Sequence, residues 1–268
     1  MDMMAPLVPH RKRLWLYAFV CLALLFLILP ILIVVPMSFS GSRYLDFPPK
    51  TWSLRWYEAY FASPAWRDAT WTTLKVALLS SLVATPIGAA FAYAVHVSEW
   101  RLVRNLRTAM LLPLMVPHII LAIGIFYIYA RLGINATVPG LVVAHAMLNF
   151  PFVAITTLSG LKTFDMSQEL VARSLGFSRL QAFLRVTLPQ IKGSVLSGAL
   201  FAFVMSVDEV IVSLFISGGL NSTLTRAMFI ALRDEIDPTI AAISSMLIAT
   251  SLALGLLASV LSRERQAA

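Results

Sequence analysis

Residues 14–42 read LWLYAFVCLALLFLILPILIVVPMSFSGS, with no charge anywhere between Arg13 and Arg43. A helix needs about 20 mostly apolar residues to cross roughly 30 Å of hydrocarbon. This run is longer than that, and longer than the apolar core of about 7–15 residues in a signal peptide. His10-Arg11-Lys12-Arg13 before it and Ser38-Phe39-Ser40 after it are flanks that a cleaved signal would also have, but the length favours an uncleaved anchor. Further uncharged runs lie between Lys75 and Glu99, between Arg107 and Arg131, between Arg131 and Lys162, and between Asp237 and Arg263. One more, Gly193–Thr225, is broken only by Asp208 and Glu209. Each of these runs is long enough to cross. Together they predict six spans, at about 14–37, 72–97, 108–130, 138–160, 194–217 and 239–261. Lipid offers the backbone no hydrogen bonds, so each span is helical, and the ten-residue alternation of barrel strands is missing. The expected fold class is therefore an all-α membrane protein. Its transmembrane domain covers 14–262, between an N-terminal segment 1–13 and a tail 263–268.

Composition agrees. Of 268 residues, 59% are hydrophobic and 13% charged, and mean hydropathy is +0.82. Soluble domains carry about 25% charged residues. The shortage excludes an ordinary cytosolic enzyme, a disordered tail and a secreted disulfide scaffold. A net charge of +8 in such a chain fits Lys and Arg held in cytoplasmic loops rather than nucleic-acid binding. The one cysteine, Cys21, excludes an intrachain disulfide and any cysteine-based metal site or redox motif.

The positive charges also set the topology. With the N-terminus inside, cytoplasmic segments hold 13 Lys and Arg and outer loops hold 7, with Lys75 at a helix end. Both termini and the loop 162–192 are then cytoplasmic, and the loop 38–71 is periplasmic. That outer loop carries Trp52, Trp56, Trp66 and Trp71. Trp52, Trp56, Tyr57, Tyr60 and Phe61 have roughly helical spacing and predict an amphipathic helix in the outer interface. Ser80, Ala84, Gly88 and Ala92 line one helix face, and Ser194, Gly198, Ala202 and Ser206 line another. Such faces allow close packing, within the chain or against a partner.

Asp208 and Glu209 are the only acidic residues inside a predicted span. Each costs about 2.5–3.5 kcal/mol at mid-helix on insertion scales, so intramembrane carboxylates mark transport paths or interhelix bonds. In a continuous helix Glu209 shares a face with Ser206 and Ser213, which makes these three candidates for lining an aqueous path, with Asp208 turned elsewhere. His10, His96, His118 and His145 have no metal-binding spacing and no neighbouring carboxylate. There is no Gly-x-Ser-x-Gly, and no Gly-Lys dipeptide to build a phosphate loop. No catalytic constellation, metal site or cofactor site is expected on this chain.

The inner loop 162–192 reads KTFDMSQELVARSLGFSRLQAFLRVTLPQIK. Ser167 and Glu169 fit a helix start, and Gly176 can end that helix. A second short amphipathic helix follows from Ser178 and is expected to close at Leu188-Pro189. Two short helices around a glycine form a candidate docking knob.

This loop resembles the coupling loop of permease subunits of ABC importers, whose pattern is Glu-Ala-Ala, three residues, Gly, about nine residues, Ile-x-Leu-Pro. The matching positions are Leu170, Val171 and Ala172, then Gly176, then Val186-Thr187-Leu188-Pro189. Ala172-Arg173-Ser174-Leu175-Gly176 fits the core of the pattern. The usual glutamate is replaced by Leu170, and Glu169 lies one residue earlier, from where it would substitute. The segments LPLMVPHIILAIGIFYIYARLGI, HAMLNFPFVAITTLSGLKTFD and SVDEVIVSLFISGG are similar to the second permease of spermidine/putrescine-type importers. Such permeases carry an acidic pair at the positions of Asp208 and Glu209, and an acidic residue where this chain has His118.

The resemblance implies a type I ABC importer permease fold and a bacterial inner-membrane location. It implies a second permease, two ATPase subunits that hold the ATP and Mg, and a periplasmic solute-binding protein as partners. Glu169, Leu170, Ala172, Arg173, Ser174, Gly176, Leu188 and Pro189 would couple to the ATPase. Glu209, Asp208, Ser206, Ser213 and His118 would belong to the translocation path. The favoured cargo is a polyamine, with an opine, another amine or an organophosphonate as alternatives. An ion-coupled secondary transporter is the rival class. It would need its own coupling residues and usually an internal repeat.

Overall fold

A computed structural model describes residues 13–234 and 236–267, without the side chains of Arg104 and of residues 254–267. The expected segment 1–13, apart from Arg13, and the side chains of the tail 263–268 lie outside the described residues. The described residues are mostly helical: α1 (Leu14–Ser38), α2 (Arg55–Ala62), α3 (Pro64–Val97), α4 (Arg101–Ala109), α5 (Leu112–Met115), α6 (His118–Leu132), α7 (Val138–Thr163), α8 (Ser167–Ser174), α9 (Arg179–Ala182), α10 (Leu188–Val207), α11 (Ile211–Ile216), α12 (Leu224–Asp234) and α13 (Thr239–Ala267). The described residues form two compact units, one of those up to 63 with those from 231 on, the other of residues 64–230.

In the first unit α13 packs against α1 and α2. Apolar side chains of α1 from Leu14 to Leu32 are exposed. A helix that is apolar all round and unburied belongs in lipid or against other protein. The aromatic helix expected at the outer interface is shorter than its spacing suggests. It is α2, Arg55–Ala62, while Trp52 pairs across an isolated antiparallel bridge with Ser40. The bridge fixes the segment before α2. There the Tyr57 hydroxyl meets Ser38 Oγ at 2.7 Å, and Trp56 Nε1 donates to the Ser42 carbonyl at 3.2 Å.

In the second unit α3, α7 and α10 all pack on one another. The small-residue faces account for the fit. Ser80, Ala84, Gly88 and Ala92 are buried, as are Gly198, Ala202 and Ser206. The stripes therefore pack within the chain, with α3 and α10 meeting α7 around Val153. Beside this, α11 packs on α6, and Val212 and Ile216 join a core with Val76, Ala122, Ile125, Leu141 and Leu148.

Four helical stretches are long and apolar enough to cross a membrane: Leu14–Ser38, Pro64–Val97, Val138–Thr163 and Arg179–Val207. The expected span 108–130 is not one straight helix. Arg101–Met115 and His118–Leu132 meet at 93°, which gives a fifth crossing only if the bent pair counts as one. Proline explains the break. Val116 precedes Pro117, a position that disfavours the α region, and its ψ is 131°. In α13 the described apolar stretch is Thr239–Ala253, shorter than a span. The sixth expected span, 239–261, lies along α13, and its side chains from 254 on are outside the described residues.

The expected span 194–217 differs at both ends. Helix α10 stops at Val207, and Asp208, Glu209 and Val210 form a break before α11. At the start, Leu188-Pro189 does not close a helix. Helical structure runs from Arg179 to Val207, through a π-helical turn at Phe183–Thr187. Proline at position 189 has no N–H for the carbonyl four residues back, and its ring crowds that carbonyl. Widening the preceding turn absorbs the misfit, and Leu188 N–H reaches back to the Phe183 carbonyl.

Candidate functional site: a helical knob and a carboxylate break

Two stations stand at opposite ends of α10, whose 20 residues span about 30 Å. The first is the α8–α9 knob. Helix α8 begins at Ser167 as expected, but Asp165 supplies the cap. Asp165 Oδ1 accepts from Ser167 N–H at 3.0 Å and Oδ2 accepts from Ser167 Oγ at 2.8 Å. These two bonds hold the exposed Asp165 carboxyl below its ordinary range.

Gly176 ends α8 with φ of +97°. Phe177 N–H bonds the Ala172 carbonyl at 3.2 Å and Gly176 N–H bonds the Arg173 carbonyl at 3.0 Å. This pair of bonds is the Schellman arrangement, which asks for glycine at the left-handed position. Ser178 and Gln181 then form a reciprocal capping box that starts α9. Leu170, Val171, Arg173, Ser174, Leu175, Arg179 and Leu180 are exposed around this turn, as are Gly176 and Pro189. Leu188 is half-buried and Ala172 is buried. Gly176→Pro is expected to lose the Arg173 bond and the positive φ together, a cost of about 3 kcal/mol or more confined to the knob. Uptake should vanish while immunoblots of membranes show normal insertion.

Glu169 is placed differently from the expectation of an ATPase-facing substitute. It is 2% exposed. It lies three residues before Ala172, so the two share the inward face of α8. Its Oε1 accepts from the Tyr93 hydroxyl of α3, and its Oε2 accepts from the Thr187 hydroxyl.

The second station is the break at residues 208–210. Asp208 is exposed, and its N–H bonds the Val204 carbonyl at 3.1 Å. Glu209 Oε1 accepts from the Val212 N–H at 2.9 Å and so caps the start of α11. Its carbonyl accepts from Thr225 Oγ1 at 3.0 Å. Glu209 Oε2 lies 3.5 Å from His118 Nδ1, with the side chains 11% and 42% exposed respectively. His118 is the first residue of α6, so two helix starts, each with a positive dipole end, converge on this carboxylate.

Ser206 and Ser213 do not share a face with Glu209, because no continuous helix carries all three. Both are buried, and His145 joins them: Nδ1 to Ser206 Oγ at 2.7 Å, Nε2 to Ser213 Oγ at 3.3 Å. Ser80 Oγ donates to Ser206 Oγ at 3.1 Å. His145 of α7 therefore clips the two sides of the break to each other, and Ser80 ties α3 to the same cluster through Ser206. Sequence reasoning missed this role, and that of Tyr93. An isolated histidine among apolar residues signals a satisfied partner without naming it.

The geometry combines an amphipathic knob, a long helix, and a carboxylate pair at a helix break, Asp208 exposed and Glu209 largely covered. Comparisons with known proteins agree with such a transport architecture. Residues 84–266 match the family described as binding-protein-dependent transport system inner membrane component. The chain is 29% identical over 247 residues to the spermidine/putrescine transport system permease protein PotC of Haemophilus influenzae, covering 92% of this chain and 96% of that one. It is 27% identical over 248 residues to the putrescine transport system permease protein PotI of Escherichia coli, covering 90% and 88%. A solved bacterial ABC transporter involved in import of the acidic polysaccharide alginate shares the fold, with a TM-score of 0.69 at 14% identity over 97% of this chain and 99% of that one. An all-α chain with several membrane-crossing helices and a family match over most of its length belongs to the binding-protein-dependent transport system inner membrane components, as a multi-pass permease subunit of the inner membrane.

Proposed function

We propose that this chain is one of two permease subunits in an ATP-driven importer of small cationic solutes, polyamines first. The observation that carries the cargo class is the break after α10. Asp208 and Glu209 stand together there, beside the negative end of a 20-residue helix. That arrangement suits an ammonium group. The names of the relatives point to the same chemistry, as spermidine/putrescine and putrescine permeases. A zwitterionic, amino-acid-like cargo is the second reading, favoured by one observation: His118 offers a partly exposed imidazole beside the Glu209 carboxylate.

In this reading both termini and the knob 162–192 are cytoplasmic, and 38–71 is periplasmic. Two ATPase subunits bind the exposed face of the knob and hold the ATP and Mg, so this chain hydrolyses nothing. A periplasmic binding protein delivers cargo to the path between the two permeases. Closure of the ATPases moves the helices as rigid bodies. The test is purification of the tagged chain from its native membrane in mild detergent, with mass spectrometry of what accompanies it. An ATPase and a second permease in near-stoichiometric amounts, with uptake of labelled putrescine by the reconstituted complex, is the expected result. A chain that emerges alone or as a homo-oligomer overturns the reading in favour of an ion-coupled transporter.

A further inference from the structure

The knob needs a way to deliver force to the helices that form the path, and Glu169 is placed for it. Helix α8 has eight residues and two faces. Leu170, Val171, Arg173 and Ser174 are exposed, while Glu169 and Ala172 are buried. The Glu169 carboxylate is occupied on both oxygens by hydroxyls from two other elements. Tyr93 lies one turn before the end of α3, and Thr187 closes the π-helical turn that leads into α10. The Tyr93 ring also packs at a tilt of 51° against Phe183 of that turn, with centroids 4.5 Å apart. A single carboxylate thus ties α8, α3 and the start of α10 at one point.

A buried carboxylate is costly unless its oxygens are bonded, and a leucine would fill the space more cheaply. Apolar contact alone lets packed helices slide by small amounts. Charge-assisted hydrogen bonds are directional and about twice as strong as neutral ones. The carboxylate therefore fixes the register of α8 on its two neighbours. Beyond it, α3 and α10 both pack on α7, so motion delivered at Tyr93 and Thr187 enters the helix core directly.

We propose that Glu169 is a positioning residue that transmits ATPase motion from α8 to α3 and α10 through Tyr93 and Thr187, and that it makes no contact with the ATPase itself. The inference rests on the importer reading above. It is tested with the full complex, purified with its partner permease and ATPase subunits and reconstituted with its binding protein and labelled putrescine. In Glu169→Ala the ATPase subunits should copurify in wild-type amounts. Uptake, and the ratio of cargo-stimulated to unstimulated ATP hydrolysis, should fall about tenfold, the scale of a typical coupling between sites. Glu169→Gln should regain most of both, because an amide accepts from one hydroxyl and donates to the other. Tyr93→Phe should lower the same two quantities with Glu169 intact. A merely structural role would instead reduce the amount of complex and leave the ratio alone.

Loss of the ATPase subunits from Glu169→Ala would overturn the proposal, since the carboxylate would then be a docking group. Wild-type uptake in Tyr93→Phe would overturn it as well, and that variant decides the matter where Glu169→Ala does not insert. A wild-type chain that purifies without any ATPase sinks the importer reading first and this inference with it.

Discussion

Glu209→Gln is expected to lower uptake of a diamine by about 100-fold while the complex assembles normally. The substitution keeps the shape of the site. An amide oxygen can still accept the Val212 N–H that Glu209 Oε1 accepts at 2.9 Å, so the start of α11 stays capped. What changes is the charge at the oxygen facing His118. A unit charge about 4 Å from a carboxylate gains about 4 kcal/mol at an effective dielectric of about 20. Each 1.4 kcal/mol is about tenfold, so the ceiling is nearly three orders of magnitude. Asp208 remains nearby and recovers part of the field, which sets the expectation at about two. Asp208 is exposed, and its side chain caps no helix, so Asp208→Asn should cost less. Initial uptake rates in proteoliposomes over a range of cargo concentrations separate the two. A dead Asp208→Asn beside a normal Glu209→Gln would show that cargo is held by the exposed carboxylate.

This asymmetry was only half legible in the sequence. The pair of charges stood out in the otherwise uncharged run Gly193–Thr225, but a continuous helix gave Glu209 the wrong neighbours. The charges themselves mark the break, because a chain that leaves the helix there exposes Asp208 and lets Glu209 cap the next helix. Pro117 stands at the 93° bend within the third run, where length and hydropathy alone drew one span across it. Gly176 was legible as a helix end because helices commonly finish on a glycine in the left-handed region, where Gly176 is found. Glu169 was not. Helical period pairs it with Ala172 on the buried face, but a charged side chain reads as exposed until its partners are known. Those partners, Tyr93 and Thr187, are 76 and 18 residues away. The same holds for His145, whose serines lie 61 and 68 residues on. Local pattern carries helix faces and ends, while tertiary hydrogen bonds depend on which faces meet.

Which faces meet is set tightly at Val153, where two helices close on α7, and a large loss of stability is expected there. Val153 is fully buried on α7, with Gly88 of α3 and Gly198 of α10 against it. A Cβ on Gly198 would stand 2.3 Å from Thr156 Oγ1 and 3.0 Å from Val153 Cα. The hydroxyl can rotate away, but the backbone of a helix held on both sides cannot. A Cβ on Gly88 would stand 2.8 Å from Val153 Cβ and Cγ1, which are side-chain atoms. Overpacking a tight core costs about 1–3 kcal/mol, so Gly88→Ala and Gly198→Ala should each lower the melting temperature of the detergent-solubilised chain. Val153→Gly separates them. It removes the atoms that Gly88→Ala strikes and leaves the Cα that Gly198→Ala strikes. The double variant Gly88→Ala/Val153→Gly should therefore be more stable than the sum of its single changes, and Gly198→Ala/Val153→Gly should show much less such gain. Equal coupling in both pairs, read from thermal unfolding followed by fluorescence, would mean that α10 shifts to make room. The three-helix core would then be less rigid than a lever acting through α10 requires.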